Sequence, residues 1–275
     1  MPKHEANIDT NIVIDQMGGK INVPAFPSRI ISLVPSQTEL LFHLGLDTNI
    51  VGVTRFCTHP EEKVAHKTII GGTKDFDISK IKELNPDLII GNKEENYEKG
   101  IAELKKYFPV WMSDICKLDD AYDMMMAIGE ITKRQGQAAS LVNELKSNFE
   151  NLSPDIRHQP TVSCAYFIWR KPYMVAASGT FIDHMLGILG VKNVFSDLSR
   201  YPGLTAGEIS KRNPDVIFLS SEPYAFQDKH IAEFKDICPS AKIMIVDGEL
   251  FSWYGSRLLH TSKYFQQLQS ELLIA

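Results

Sequence analysis

The residues best able to do chemistry in this chain are few and scattered. Cys57 lies between Arg55 and His59, neighbours that could depress a thiol pKa, but no partner motif accompanies them. There is no Gly-x-Ser-x-Gly elbow, no P-loop and no Gly-x-Gly-x-x-Gly after a strand, and the histidines show no His-x-x-x-His spacing. Cys57, Cys116, Cys164 and Cys238 are far apart with no Cys-x-x-Cys, so they read as free thiols rather than a zinc site or disulfides. We therefore expect no catalytic residue, no metal ligand and no intrinsic cofactor.

Recognition is better represented. Trp169 precedes Arg170, Tyr201 follows Arg200, and Trp253-Tyr254 stand just before Arg257, with Tyr224 in a further loop. Aromatic faces beside guanidinium groups suit a large, flat, partly anionic ligand, through stacking and charge-assisted hydrogen bonds.

Those residues need a frame. Arg29 to Val34 is a short continuous apolar run, as expected of a strand buried on both faces of a parallel sheet. Further runs at Ile50–Val53, Thr68–Ile70, Leu88–Gly91 and Val110–Met112 alternate with helical spacing at Ile78–Leu84 and Glu95–Tyr107. Strand-helix alternation predicts a parallel α/β sheet. The pattern restarts with strands at Thr161–Ile168, Val216–Leu219 and Lys242–Val246, and helices at Phe181–Leu189, Ile231–Phe234 and Ser256–Leu273. Ligands of such sheets bind beyond the carboxyl ends of the strands. That rule selects Pro35, Ser36, Gln37 and Arg55 in the first half, and Trp169, Arg170, Tyr201, Tyr224, Trp253, Tyr254 and Arg257 in the second. Ser36-x-x-Glu39 also has capping-box spacing, which predicts a helix starting there and ending at Leu44, with Gly45 as its left-handed cap.

Between the halves, apolar residues recur at helical steps from Leu118 to Leu152, with Asp119 and Asp120 in the first turn and Ser153-Pro154 as the stop. One helix of that length would span roughly 50 Å, enough to reach from one domain to another. A break at Gly136 into two helices is the alternative. The expected organisation is an α/β lobe over 1–116, a connecting helix over 117–153 and a second α/β lobe over 154–275. A weak repeat supports two similar lobes, since Ile81 to Ile90 and Ile209 to Phe218 both read as helix, Asn-Pro-Asp turn and buried strand. Ahead of them, Met17-Gly18-Gly19-Lys20 between Ile12–Ile14 and Ile21–Val23 predicts a hairpin.

The totals set limits. A chain of 275 residues with 44% hydrophobic content has room for two medium cores. The formal charge of −5 and the absence of Lys/Arg runs argue against a nucleic-acid partner. No stretch is apolar enough to span a membrane, and no signal peptide is visible. A monomer is expected.

Taken together, Arg29 to Glu39, the two Asn-Pro-Asp turns and the helical stretch between the halves resemble the helical-backbone periplasmic binding proteins, receptors of ABC importers for cobalamin, ferric siderophores and haem. The resemblance implies two α/β lobes joined by a rigid helix, a ligand held between them without chemistry, and a permease partner. Among the ligand classes it looks closest to the cobalamin receptors, through the spacing from Pro35-Ser36 to Asn85-Pro86-Asp87 and the aromatic Trp253-Tyr254. The family's permease-docking glutamates fall by spacing on Ser79 and Gly207, with Asp77 and Glu208 as the displaced acids nearby, and a stacking tryptophan falls on Thr73. Either a leader preceded Met1, which places the protein in the periplasm or lipid-anchored at the cell surface, or Met1 is the native start and the protein is cytoplasmic. The second case corresponds to a different class: a carrier, sensor or cofactor-assembly protein for a metal-tetrapyrrole or metal complex.

Overall fold

A computed structural model describes residues 9–152 and 162–273, which form two compact units. The first contains residues up to Ile115, then Asp119–Leu145 and the short return segment Tyr254–Ser256. It opens with the expected hairpin, β1 (Thr10–Ile14) paired antiparallel with β2 (Lys20–Pro24). Asp15 closes the turn by accepting the amide hydrogens of Met17 and Gly19, and Gly18 takes the positive φ that the turn requires. Beyond it come β3 (Ile30–Ser32), α1 (Pro35–His43), β4 (Ile50–Val53), α2 (Glu61–Val64), β5 (Thr68–Ile69), α3 (Ile78–Leu84), β6 (Leu88–Asn92), α4 (Glu98–Leu104) and β7 (Val110–Ser113). The sheet is parallel throughout, in the order β5-β4-β3-β6-β7, and its central strands β3 and β6 are wholly buried.

Two local expectations are corrected here. Helix α1 begins at Pro35, one residue before the predicted cap, because proline at the first helical position already has helical φ and needs no amide partner. Ser36 therefore lies inside the helix and the Ser36–Glu39 capping box does not form. The C-terminal cap is as expected: Gly45 has φ +77° and the Leu46 amide returns to Leu41 O.

The stretch from 118 to 152 is not one helix but two, α5 (Leu118–Ile131) and α6 (Gln135–Glu150). The break falls at Lys133, not Gly136. Lys133 adopts φ +58°, Arg134 N–H donates to Gly129 O at 2.6 Å and Lys133 N–H to Glu130 O at 3.3 Å, the paired bonds of a Schellman end. Gly129 is the reason the chain can turn so tightly, since a Cβ there would lie 2.4 Å from the Ala138 Cβ. The Ser153-Pro154 stop lies outside the described residues.

The second unit holds Cys116–Leu118, Lys146–Trp253 and everything from Arg257. Its described elements are β8 (Ser163–Trp169), β9 (Tyr173–Val175), α7 (Phe181–Leu189), β10 (Lys192–Asn193), β11 (Gly203–Leu204), α8 (Ala206–Arg212), β12 (Val216–Ser220), α9 (Ile231–Ile237), β13 (Lys242–Val246), α10 (Glu249–Ser252) and α11 (Leu258–Leu273). The predicted first strand starts at Thr161, which is not among the described residues. Strands β8, β12 and β13 run parallel, but β9 and β11 add antiparallel ribbons, so this sheet is mixed where a purely parallel one was expected. Its core is aromatic, with Phe167, Phe195, Phe218 and Phe234 fully buried.

Candidate functional site

In the first unit the carboxyl ends of β3, β6 and β7 converge on the start of α1. Gln37, wholly buried, donates its amide to Ser113 Oγ at 2.6 Å. Asn92 donates to the same hydroxyl at 3.0 Å, and Ser113 passes its own proton to Gly91 O at 3.2 Å. Asn96 continues the network to Thr73 O and Leu33 O. These bonds fix Gln37 by its nitrogen, and among the described residues its carbonyl oxygen and the hydroxyls of Ser36 and Ser256 have no hydrogen-bond partner. The segment Tyr254–Ser256 is packed directly on this helix start, because Gly255 approaches Ser36 O so closely that a Cβ would lie 2.6 Å from it. Ser36 and Gln37 lie in the first turn of α1 and Ser256 follows the glycine packed on it, and buried polar groups of this kind need a partner.

Arg55 belongs elsewhere. It is exposed, paired with Asp75 and laid over Phe56 at 5.6 Å. Cys57 is not activated by Arg55 and His59. It is buried against the Thr38 and Thr54 hydroxyls at 3.1 and 3.2 Å, and burial pushes its pKa up.

Two groups hold most of the residues predicted in the second unit. At the end of β8, Trp169 remains 40% exposed and meets the Tyr224 ring edge-on at 5.6 Å. Arg170 donates to Glu233 at 2.7 Å, and Tyr173 bonds the same carboxylate. Burial and the Glu233 charge raise Tyr173 to about 12. Burial opposes ionisation of Glu233, but hydrogen bonds from Tyr173 and Arg170 outweigh it and hold the carboxyl below its usual range.

Trp253 forms the second group and is largely buried, at 6% exposure. Its Nε1–H donates to Glu222 at 2.9 Å, Ser252 Oγ donates to the same oxygen at 2.6 Å, and Arg257 stacks over the indole at 5.2 Å while pairing with Glu249 at 3.1 Å. Burial raises the Glu222 pKa against those two hydrogen bonds, helped by the nearby charge of Glu249. The Arg200 guanidinium lies 5.9 Å from the Tyr201 ring. Tyr254 belongs to the first unit.

The displaced acids both serve as helix caps. Asp77 accepts the Lys80 amide at the start of α3, and Glu208 completes a capping box with Thr205 at the start of α8. Sequence reasoning missed two participants, Ser113, the last residue of β7, and Asn96, which lies between β6 and α4. Glu222 lies in the loop after β12, a strand end that the same rule selects. Among the described residues no cluster of His, Cys, Asp and Glu is grouped to hold a metal ion.

This frame defines a class. The family model for periplasmic binding proteins matches residues 30–236, and the chain belongs to that family. A vitamin B12-binding protein of Pectobacterium carotovorum is 23% identical over 252 residues, covering 90% of this chain and 89% of its own. An uncharacterized ABC transporter substrate-binding lipoprotein of Bacillus subtilis, YvrC, is 26% identical over 78% of this chain and 70% of its own. The crystal structure of a possible iron-binding periplasmic solute-binding protein from Staphylococcus epidermidis superposes with a TM-score of 0.74 at 27% identity, covering 90% of this chain and 98% of that one.

Proposed function

We propose that this chain is the substrate-binding protein of an ABC importer and that it holds a corrinoid, haem or ferric complex without chemistry. Membership of the periplasmic binding protein family supports the binding role. Relatives named for vitamin B12 and for a transporter lipoprotein favour an importer over a cytoplasmic carrier. The observation that carries the ligand class is the half-exposed indole of Trp169 beside Tyr224 at the end of β8, an aromatic platform of the kind a flat macrocycle covers.

The protein would work outside the cytoplasm, in the periplasm or lipid-anchored, as a monomer that delivers cargo to a permease. Asp77 and Glu208, both exposed and each at the start of a helix, are the acids we assign to that docking. Titration with cobalamin, cobinamide, haem and ferric siderophores, followed by tryptophan fluorescence against a free-tryptophan control, tests the reading. Saturable quenching by one class is expected, weakened in Trp169→Ala. No response to any class from folded protein would overturn it.

A further inference from the structure

The hydroxyl of Tyr224 has an unusual set of neighbours. His230, 4% exposed, accepts the Gln227 amide at Nδ1 over 2.9 Å, so in the neutral ring the proton resides on Nε2. That nitrogen lies 3.2 Å from the Tyr224 oxygen and donates to it. On another side stands the Arg170 guanidinium, oriented by its bond to Glu233. A phenol oxygen accepts two hydrogen bonds and donates one. Because His230 donates to the Tyr224 oxygen, the Tyr224 proton is left to be given elsewhere, and among the described residues no hydrogen bond takes it. Tyr224 is half-buried, follows β12 and touches the exposed Trp169 at the end of the neighbouring parallel strand.

From this geometry we infer that Tyr224 is a directed hydrogen-bond donor that selects ligands carrying a carbonyl or carboxylate oxygen at the edge of the flat surface stacked on Trp169. The inference rests on the reading of this chain as a binding protein for such a ligand. The His230 donor behind the oxygen polarises the O–H bond and restricts its direction, so the phenol arrives preorganised. A ligand with an apolar edge would leave that proton unpaired and be rejected.

Two replacements at the position test this, with dissociation constants for cobalamin, haem and ferrioxamine. Tyr224→Phe keeps the ring and removes the oxygen, and should bind the wild-type ligand about tenfold more weakly. 3-Fluorotyrosine at 224 makes a more acidic and stronger donor. At a pH where the phenol stays protonated, it should bind about two- to threefold more tightly, an effect that a structural role for the tyrosine does not produce. Equal affinity of Tyr224→Phe and wild type overturns the inference, as does fluorotyrosine binding no tighter than tyrosine. In either case wild-type binding would leave the functional reading standing. Failure of the wild type to bind any of the three probes overturns the functional reading, and this inference falls with it.

Discussion

Asp87 and Asp215 make the same clamp in the two units. The Asp87 carboxylate accepts the Ser28 amide at 2.8 Å, the Ser28 hydroxyl at 2.9 Å and the Arg29 amide at 2.9 Å. Asp215 accepts the Ser163 amide at 2.8 Å and the Ser163 hydroxyl at 2.6 Å. Each aspartate follows an asparagine in the left-handed region, Asn85 at φ 42° and Asn213 at φ 43°, and a proline that ends the helix before it. The repeated Asn-Pro-Asp is therefore one device used twice: it stops a helix, turns the chain and ties the coming strand to the start of its neighbour.

Replacing either aspartate by alanine should cost about 1 kcal/mol in urea unfolding, because the hydrogen bonds lost are exposed or only part-buried. The pH dependence should differ from wild type at Asp215. Its bonds from Ser163 lower its pKa in the folded protein, so its contribution is complete above the ordinary carboxylate range and disappears as pH falls through the lowered value. Asp215→Ala should therefore lie furthest below wild type at neutral pH and converge with it in acid.

Glu222 carries the opposite sign. Burial raises its folded pKa, so its contribution is complete below the unfolded carboxylate pKa and is lost as pH rises through the folded value. Glu222→Gln retains an acceptor for Ser252 and Trp253 without the charge, and should match wild type in acid and exceed it in stability at neutral pH. Glu222→Ala strands the Trp253 indole nitrogen and should cost about 1–3 kcal/mol in acid, a difference that narrows as pH rises through the folded value. Thermal unfolding of the three proteins across that range decides the point.

Thiol reactivity should follow burial rather than sequence neighbours. Cys57, Cys164 and Cys238 are buried with raised pKa values, whereas Cys116 is partly accessible. Alkylation of the native protein with iodoacetamide should label Cys116 first, and mass spectrometry should find Cys57 modified only after unfolding.

The elements legible in advance were those built on local signals. Apolar runs located β3, β6, β12 and β13, and Gly45 located the end of α1, because strand burial and left-handed caps depend on a few adjacent residues. The break at Lys133 was hidden because helical periodicity runs on through it. The turn depends on Gly129 making room for Ala138, a contact between residues nine apart. Lys133→Gly should confirm this by raising stability about 1 kcal/mol, since glycine takes a positive φ without strain. In the site, the aromatic residues stood out by type, but their pairing did not. That Arg170 is held by Glu233, and that Trp253 is buried against Glu222, follows from side chains more than thirty residues apart.

Gly255 offers the sharpest test of how the start of α1 is assembled. A methyl group there would lie 2.6 Å from Ser36 O and 3.4 Å from the Leu40 Cβ, and a backbone carbonyl in the first turn of a helix cannot step aside cheaply. Gly255→Ala should therefore lift Tyr254–Ser256 from α1 at a cost of about 1–3 kcal/mol. Gly136→Ala is the internal control, because nothing lies within 4 Å of its Cβ position and alanine in a helix should gain up to about 1 kcal/mol. The two variants add the same atom and should move unfolding in opposite directions. If the buried oxygens of Ser36 and Ser256 serve one ligand, Gly255→Ala should also weaken its binding even under conditions where the protein is fully folded, while Gly136→Ala leaves affinity unchanged.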